Sequence, residues 1–549
     1  MSARAAFANL LWLASSVPAH RRFRASLTRA REEQAAILSR YLRENADTAF
    51  GREHRFDRIA SVEDYRARVP ARDYDDFRPW VDRIAAGEPG VLTRSPVRLF
   101  EPTGGSTGGS KWVPYTPALQ RELGRAVATW ISDLAGSRPA LLAGPAYWSI
   151  TPPARPEGGR PTRVPVGFEE DSAYLGGWRR AIVNATLAVP GGVRHLADLG
   201  EFRRATLLHL LRARDLRLVS VWHPTFLSLL ADTLRDEWSV LVDALARGTA
   251  PRGRVPGLAP DPARAREIAR LGPDPPGRLW PRLAVISCWA DAAAAPYAAA
   301  LGRLFPGVEI QPKGLIATEG IVSIPYRGRH PLAVTSHFFE FEAPGGRVLA
   351  APEVERGAAY SVIVTTGGGL YRYRLHDRVE VTAFLGTTPC LRFLGKEDRI
   401  SDQRGEKLDE AFVAGVLARV LAERSVAAEL ALLAPETGPR GTRYVLFLSA
   451  PGPADPGLAA ALEGALRHDV QYAYAVDLGQ LMPADVCRVG PEAPRRYLER
   501  MHALGGRLGA VKPAALSPRD DWRAVFCGPL EPGTAAPGTT AAGPEGAGI

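Results

Sequence analysis

The chain is short of lysine. Of its 69 basic residues only five are lysines, Lys111, Lys313, Lys396, Lys407 and Lys512, and the rest are arginines. In so arginine-biased a chain, a retained lysine marks a position where a compact, flexible ammonium serves better than a planar fork. Cysteine is scarce too. The four present (Cys288, Cys390, Cys487, Cys527) lie far apart, with no CxxC and no Cys/His ligand spacing. That excludes a disulfide framework and a zinc site, and fits a reducing cytoplasm. Uninterrupted apolar runs long enough to span a bilayer are missing, so no membrane partner is expected. Ala5–Ala14 could pass for a short signal core, but Asn9 interrupts it and Arg21–Arg24 follows without a small-residue cleavage site. An amphipathic N-terminal helix is the expectation. The formal charge is +10, yet basic runs interleaved with aromatics are absent. Nucleic acid is therefore not an expected partner, whereas a basic surface suits small anionic substrates.

What is present is ample for a core. With 549 residues, 46% of them hydrophobic, the chain exceeds the size at which single cores stop growing, so at least two domains are expected. Helical spacing runs through residues 32–42. Strand and helix patterns then alternate to about residue 320, with strands expected over 97–100, 216–224 and 282–289 and helices over 119–135 and 225–234. From 321 to 394 the pattern is of short strands between glycine turns: 332–341, 359–366, 371–374, 379–384 and 391–394. A smaller unit follows, with helices over 410–423 and 458–469 and strands over 444–449 and 486–489. The expected fold is mixed α/β, a large N-terminal domain (1–394) with sheets and a β-barrel-like part, and a small α+β C-terminal domain (395–528). Residues 529–549, rich in Gly, Pro, Ala and Thr, read as a disordered tail.

The least ordinary segment is Thr103–Lys111, read TGGSTGGSK. A Walker A loop is excluded, because a serine separates Gly109 from Lys111 and no hydroxyl follows the lysine. Two readings remain. Gly104–Gly108 matches GxSxG, the nucleophile elbow of a serine hydrolase with Ser106 as nucleophile. Alternatively the glycines let backbone N–H groups approach phosphate oxygens, with Thr103, Ser106, Thr107 and Gly108 as phosphate contacts and Lys111 as counter-charge. Three later motifs bear on the choice: KGLIATEG (313–320), GGGLYRYRLHD (367–377) and FLGKEDRISDQRGEK (393–407).

In order and spacing these resemble the adenylate-forming superfamily: a glycine/hydroxyl loop, a Thr-Glu motif, an aspartate for ribose and a two-glycine hinge. Within it the chain resembles the Gretchen Hagen family of acyl acid amido synthetases over almost its whole length. Gln34–Phe56, Tyr65–Thr93, Gly369–Arg374, Gln471–Tyr474 and Gly505–Pro513 carry the likeness. It departs in having His376 where the family has glycine, Leu315 where an aromatic often stacks on adenine, and Lys396 for the hinge arginine.

The resemblance implies a ligase that uses ATP and Mg²⁺. It would activate a carboxylic acid as its acyl-adenylate and pass the acyl group to an amine, an amino acid. Thr103, Ser106, Thr107 and Gly108 would hold phosphate and Lys111 would assist the leaving pyrophosphate. Thr318 and Glu319 would lie at the nucleotide, Glu319 binding the metal, and Asp377 would take the ribose hydroxyls. Lys396 would sit beside the nucleotide at the hinge, and Lys512 would reach the α-phosphate. Trp222 and His223, at an expected strand end, are candidate acid-binding residues. The expected state is a monomer. The alternatives are an acyl-CoA ligase with the same first half-reaction, a serine hydrolase, and an inactive ATP-binding relative.

Overall fold

The computed structural model describes residues 3–103, 111–149, 162–167, 177–196, 198–251, 253–397, 400–439, 441–504, 511 and 513–528. The calls on Ser106, Thr107, Gly108, Lys512 and the tail lie outside these residues. Among the described residues, no helix is long and apolar enough to cross a membrane.

Strands β1 (Leu99–Thr103) and β2 (Lys111–Tyr115) form an antiparallel pair. Four short strands, β3 (Ala146–Trp148), β4 (Leu218–Ser220), β5 (Val285–Cys288) and β6 (Glu309–Pro312), form a parallel sheet in that order. Parallel sheets need both faces covered, and this one has both. Tyr147, Val219 and Ile286 face a core built with the helices Leu199–Arg212, Pro224–Asp236 and Ala295–Leu304. Ala146, Leu218 and Val285 face Trp12 and Trp130, contributed by the helices Ala3–Ser26 and Pro117–Ser137.

The β-rich region is a five-stranded antiparallel sheet. Its strands are β7 (Phe338–Glu342), β8 (Val348–Ala350), β9 (Ala359–Thr365), β10 (Tyr373–Leu385) and β11 (Thr388–Lys396), in the order β11-β10-β9-β7-β8. It is open among the described residues, with edges at β8 and β11, and does not close into the barrel-like form expected. The two strands expected over 371–384 are one strand, β10, broken by a shift of register between Arg374 and Arg378. Its alternating inward residues, Tyr373, Leu375, Val379 and Val381, join a core with Ile37, Tyr41, Phe50 and Phe77 from the N-terminal helices.

Beyond it, β12 (Ile400–Ser401) and β13 (Leu408–Asp409) pair, and the helix Glu410–Glu423 follows. Then β14 (Leu430–Gly438), β15 (Gly441–Ser449) and β16 (Met482–Arg488) form a three-stranded sheet. Strand β14, LALLAPETG, was not expected: its apolar run lacks the alternation that marks a half-buried strand. Both faces of this sheet are covered. Leu433, Tyr444 and Leu446 pack on its own helices, while Leu430, Leu432, Val445 and Phe447 join the core of the parallel-sheet lobe.

Candidate functional site

Lys111 opens β2 and stands in register with Thr103 of β1. The glycine loop therefore bridges two antiparallel strands. A nucleophile elbow turns from a strand into a helix, so this topology removes the hydrolase reading of Ser106.

Thr318 and Glu319 occupy a tight turn after β6. Ile316 and Ile321 bridge its base, and the Ala317 amide donates to Gly320 O at 3.0 Å. A buried chain of side chains holds this turn. The Ile321 amide donates to His337 Nε2 (3.2 Å), and His337 Nδ1 faces Glu122 Oε2 at 3.0 Å. An Nε2 that accepts leaves the proton on Nδ1, so His337 donates to Glu122. Glu122 Oε2 also accepts from the Gly367 amide at 2.9 Å. One carboxylate thus ties the Thr-Glu turn to the GGGLYRYR segment. Neither Glu122 nor His337 stands out in the sequence, because neither belongs to any of the motifs.

Asp377 lies at the register shift of β10, opposite Lys396 of β11. It is 2% exposed. Lys396 Nζ stands 3.2 Å from Asp377 Oδ1 and donates to Leu375 O at 3.1 Å. Apart from this ion pair, Asp377 Oδ1 has no hydrogen-bond partner among the described residues. The Glu319 carboxyl is raised above its usual range by burial; Lys396 and Lys111 oppose that rise and Asp377 adds to it. Glu319, Asp377, Lys396 and Lys111, drawn from four separate stretches of chain, therefore share one electrostatic neighbourhood.

The histidine before Asp377 has a geometric explanation. His376 has φ 56°, a left-handed conformation in which glycine is easiest and histidine is among the better-tolerated alternatives. Its Nε2 meets Asp73 Oδ1 at 2.8 Å. Position 376 is thus a backbone requirement that this chain meets with a side chain.

The GLYRYR motif is scaffold. Gly369 (φ 94°) turns where a Cβ would come within 2.6 Å of Leu92. Tyr371 donates to Leu92 O at 2.8 Å. Arg372, 5% exposed, donates to Glu340 (2.8 Å) and to Val69 O (2.8 Å), and Arg66 reaches the other Glu340 oxygen at 2.8 Å. Arg374 pairs with Glu342 at 3.0 Å. These bonds fasten residues 66–71 to the five-stranded sheet.

A cleft opens at the carboxyl ends of the parallel strands, lined among others by His223, Trp289, Gly314, Leu315, Phe393 and Lys396. Glu410 and Pro513 reach it from the C-terminal unit. The crevice outside the carboxyl ends of such strands is where open α/β sheets bind ligands. Leu315, the residue at the expected adenine position, is part of the wall. Of the two acid-binding candidates, His223 lines the cleft and caps a helix, its Nδ1 accepting from the Thr225 amide at 3.3 Å. Trp222 lies against Trp289, a residue of the cleft wall, with ring centroids 5.6 Å apart and the planes tilted by 39°. Lys313 lies beneath this edge, a residue marked in the sequence by lysine scarcity alone.

Comparison with known proteins agrees with this architecture. Residues 19–310 match the GH3 family N-terminal domain and residues 330–396 the GH3 family central domain. The chain belongs to the GH3 family, the Gretchen Hagen family of the sequence resemblance. It is similar to a putative indole-3-acetic acid-amido synthetase, GH3.10 of Oryza sativa subsp. japonica. The two are 27% identical over 405 residues, covering 69% of this chain and 80% of the relative. A probable indole-3-acetic acid-amido synthetase of the same plant, GH3.12, is 24% identical over 84% of this chain and 86% of its own length. Among solved structures, the acyl acid amido synthetase AtGH3.15 in complex with 2,4-DB superposes with a TM-score of 0.81 at 18% identity, covering 93% of this chain and 95% of that one. The fold is that of an amido synthetase, a ligase that joins an acid to an amine.

Proposed function

We propose that the protein is an ATP-dependent acyl acid amido synthetase. The observation that carries this reading is the convergence of Glu319, Asp377, Lys396 and Lys111 beside the cleft, in a chain of GH3 family membership. In the first half-reaction an oxygen of the acid attacks the α-phosphorus of ATP, the bond to the β-phosphate oxygen breaks, and pyrophosphate leaves. In the second, an amine attacks the acyl carbon, AMP leaves with the bonding electrons, and the nitrogen loses a proton. Both steps gather negative charge on phosphate oxygens, so positioned cations supply much of the rate.

Each residue's part follows from its chemistry. The buried Asp377 oxygen, which meets the Lys396 ammonium as an ion pair but takes no aligned hydrogen bond, suits a ribose hydroxyl, which would donate to it. Thr103, Ser106, Thr107 and Gly108 hold phosphate, Lys111 balances the departing pyrophosphate, and Thr318 contacts the nucleotide. Lys396 pairs with Asp377 and holds its own charge near the phosphates. Lys512 delivers an ammonium from the C-terminal unit to the α-phosphate. Burial disfavours the ionised form of Glu319, a cost that a bound divalent cation would offset, and Mg²⁺ needs only one or two carboxylates beside phosphate oxygens. When bound, Mg²⁺ supplies charge neutralisation at the phosphates.

We divide the chain at 394/395, with a hinge at Gly395–Asp398 that lets the C-terminal unit serve the two half-reactions in turn. Gly395 has φ 154°, and a Cβ there would come within 2.8 Å of Ala411 Cβ. The amine is read as an amino acid, and the protein as a cytoplasmic monomer. The four cysteines are free thiols, which supports a reducing compartment.

The test is pyrophosphate release from ATP·Mg²⁺ over a panel of aryl, indolyl and alkyl acids, with hydroxylamine as acceptor. Acid-dependent release with hydroxamate and AMP is the expected result. Silence across the panel with ATP binding intact would overturn the reading in favour of an inactive relative. Coenzyme A outcompeting amino acids as acceptor would convert it to an acyl-CoA ligase.

A further inference from the structure

Lys313 directly follows β6, and its amide continues the ladder by donating to Cys288 O at 2.9 Å. Its side chain is 5% exposed. The ammonium donates to Ser220 Oγ at 2.6 Å and lies 5.0 Å from the ring centre of Trp130 and 5.5 Å from that of Trp222. Burial pushes its pKa down to about 7. Among the described residues it makes no ion pair. A buried cation with no carboxylate is costly and uncommon.

The surroundings are short of acceptors. Trp148, Ser220, Ser287 and Gln311 stand in register across β3, β4, β5 and β6. In-register residues share one face of the sheet, here the face turned to Trp130. The Gln311 amide oxygen is taken by Trp130 Nε1 at 2.9 Å. Ser287 Oγ and Trp148 Nε1 are buried with no hydrogen-bond partner among the described residues. Indole N–H and ammonium groups only donate. This end of the sheet therefore carries the Lys313 ammonium beside two indole faces and two further buried donors on neighbouring strands. The next residue, Gly314, lines the cleft with Trp289 and Lys396. The row thus lies behind the place where an acid would meet the nucleotide.

We infer that Lys313 is a specificity-determining residue and that the acid this protein activates is a planar aromatic carboxylic acid bearing a second oxygen group, a phenol or a further carboxylate, on its far side. The ring lies against Trp130 and Trp222. The distal oxygen accepts from Lys313, Ser287 and Trp148, and the reacting carboxylate points to the cleft. This rests on the amido synthetase reading for its chemistry, but not for its binding.

The test is equilibrium binding to the full chain without ATP, followed by tryptophan fluorescence, with benzoate against 3- and 4-hydroxybenzoate and isophthalate. Pyrophosphate release is measured on the same acids. In the wild type the best oxygenated acid is expected to bind at least about 10-fold tighter than benzoate. Lys313→Met is expected to bring that ratio close to one, and Ser287→Ala to lower it about 3-fold, since a site built to bond an oxygen penalises its loss strongly. Calorimetry in buffers of different ionisation enthalpy should show proton uptake when isophthalate binds near pH 7, and Lys313→Met should abolish it. Absence of any preference in the wild type, or a ratio unchanged in both variants, overturns the inference. Oxygen-selective binding without pyrophosphate release would sink the synthetase reading and leave the site standing. Pyrophosphate release driven best by acids lacking a ring oxygen would do the reverse.

Discussion

Two buried cations in this molecule are treated in opposite ways. Arg372 and Lys313 are each 5% exposed. Arg372 meets Glu340, which also takes Arg66, and its remaining N–H groups reach the carbonyls of Arg66 and Val69. Lys313 meets one hydroxyl and two aromatic faces. The first arrangement is closed: a carboxylate and two carbonyls face the Arg372 guanidinium, so it fixes one segment against another. The second is open, and an open arrangement of donors is complete only with something that accepts. Burial alone does not separate structural from functional charge; the state of the partners does.

The contrast is sharpest in stability. Arg372→Met leaves Glu340 with Arg66 alone and the Val69 carbonyl without its donor, and should cost about 1–3 kcal/mol in denaturant unfolding. Lys313→Met strands no carboxylate and should leave the unfolding midpoint at pH 7 unchanged or higher. Equal losses in the two variants would erase the distinction.

Catalysis should divide along a different line. Lys512→Ala should slow adenylate formation about 10²–10³-fold, the loss typical of a preorganised electrostatic donor, with no change in thermal unfolding. Adenylation near the wild-type rate, measured as pyrophosphate release, would remove Lys512 from the mechanism.

The open cation should also make stability depend on pH. The folded-state pKa of Lys313, about 7, lies below the value of about 10.4 for an unfolded lysine. Between these values the unfolded chain binds the extra proton, so unfolding free energy rises with pH. The expected contribution is on the order of 1–2 kcal/mol between pH 7 and 9, read as the difference between wild type and Lys313→Met. A difference that is flat over that window would mean the ammonium is not desolvated.

The smallest effect is expected at His376. Glycine relieves the left-handed backbone but loses the contact with Asp73, itself largely exposed. His376→Gly should shift stability by less than about 1 kcal/mol and leave the KM for ATP within about twofold. A tenfold rise in that KM would give the imidazole a part in nucleotide binding.

Much of this was legible in the one-dimensional pattern, for identifiable reasons. The helix Glu410–Glu423 and the strands near 218, 285 and 359 show as periodicity because each buries one face or lies wholly inside. Strand β14 did not, since two cores claim its two faces and erase the alternation. The arginines of GLYRYR stood out as a motif, yet they are joined to Glu340 and Glu342, some thirty residues earlier in the chain. The link from Glu122 through His337 to the Thr-Glu turn was invisible, because its members are hundreds of residues apart and individually unremarked.

The sequence by itself determined the class of protein. Lysine scarcity singled out the few ammonium groups, and the order of glycine loop, Thr-Glu turn, aspartate and hinge pointed to adenylate chemistry, because local backbone freedom and side-chain type are written residue by residue. Only the tertiary structure decided which charges are satisfied. Whether Lys313, Arg372 or Asp377 has a partner depends on groups brought in by other strands and helices, and it is that pairing, in a medium of low dielectric, that separates a charge holding the fold together from one that awaits a ligand.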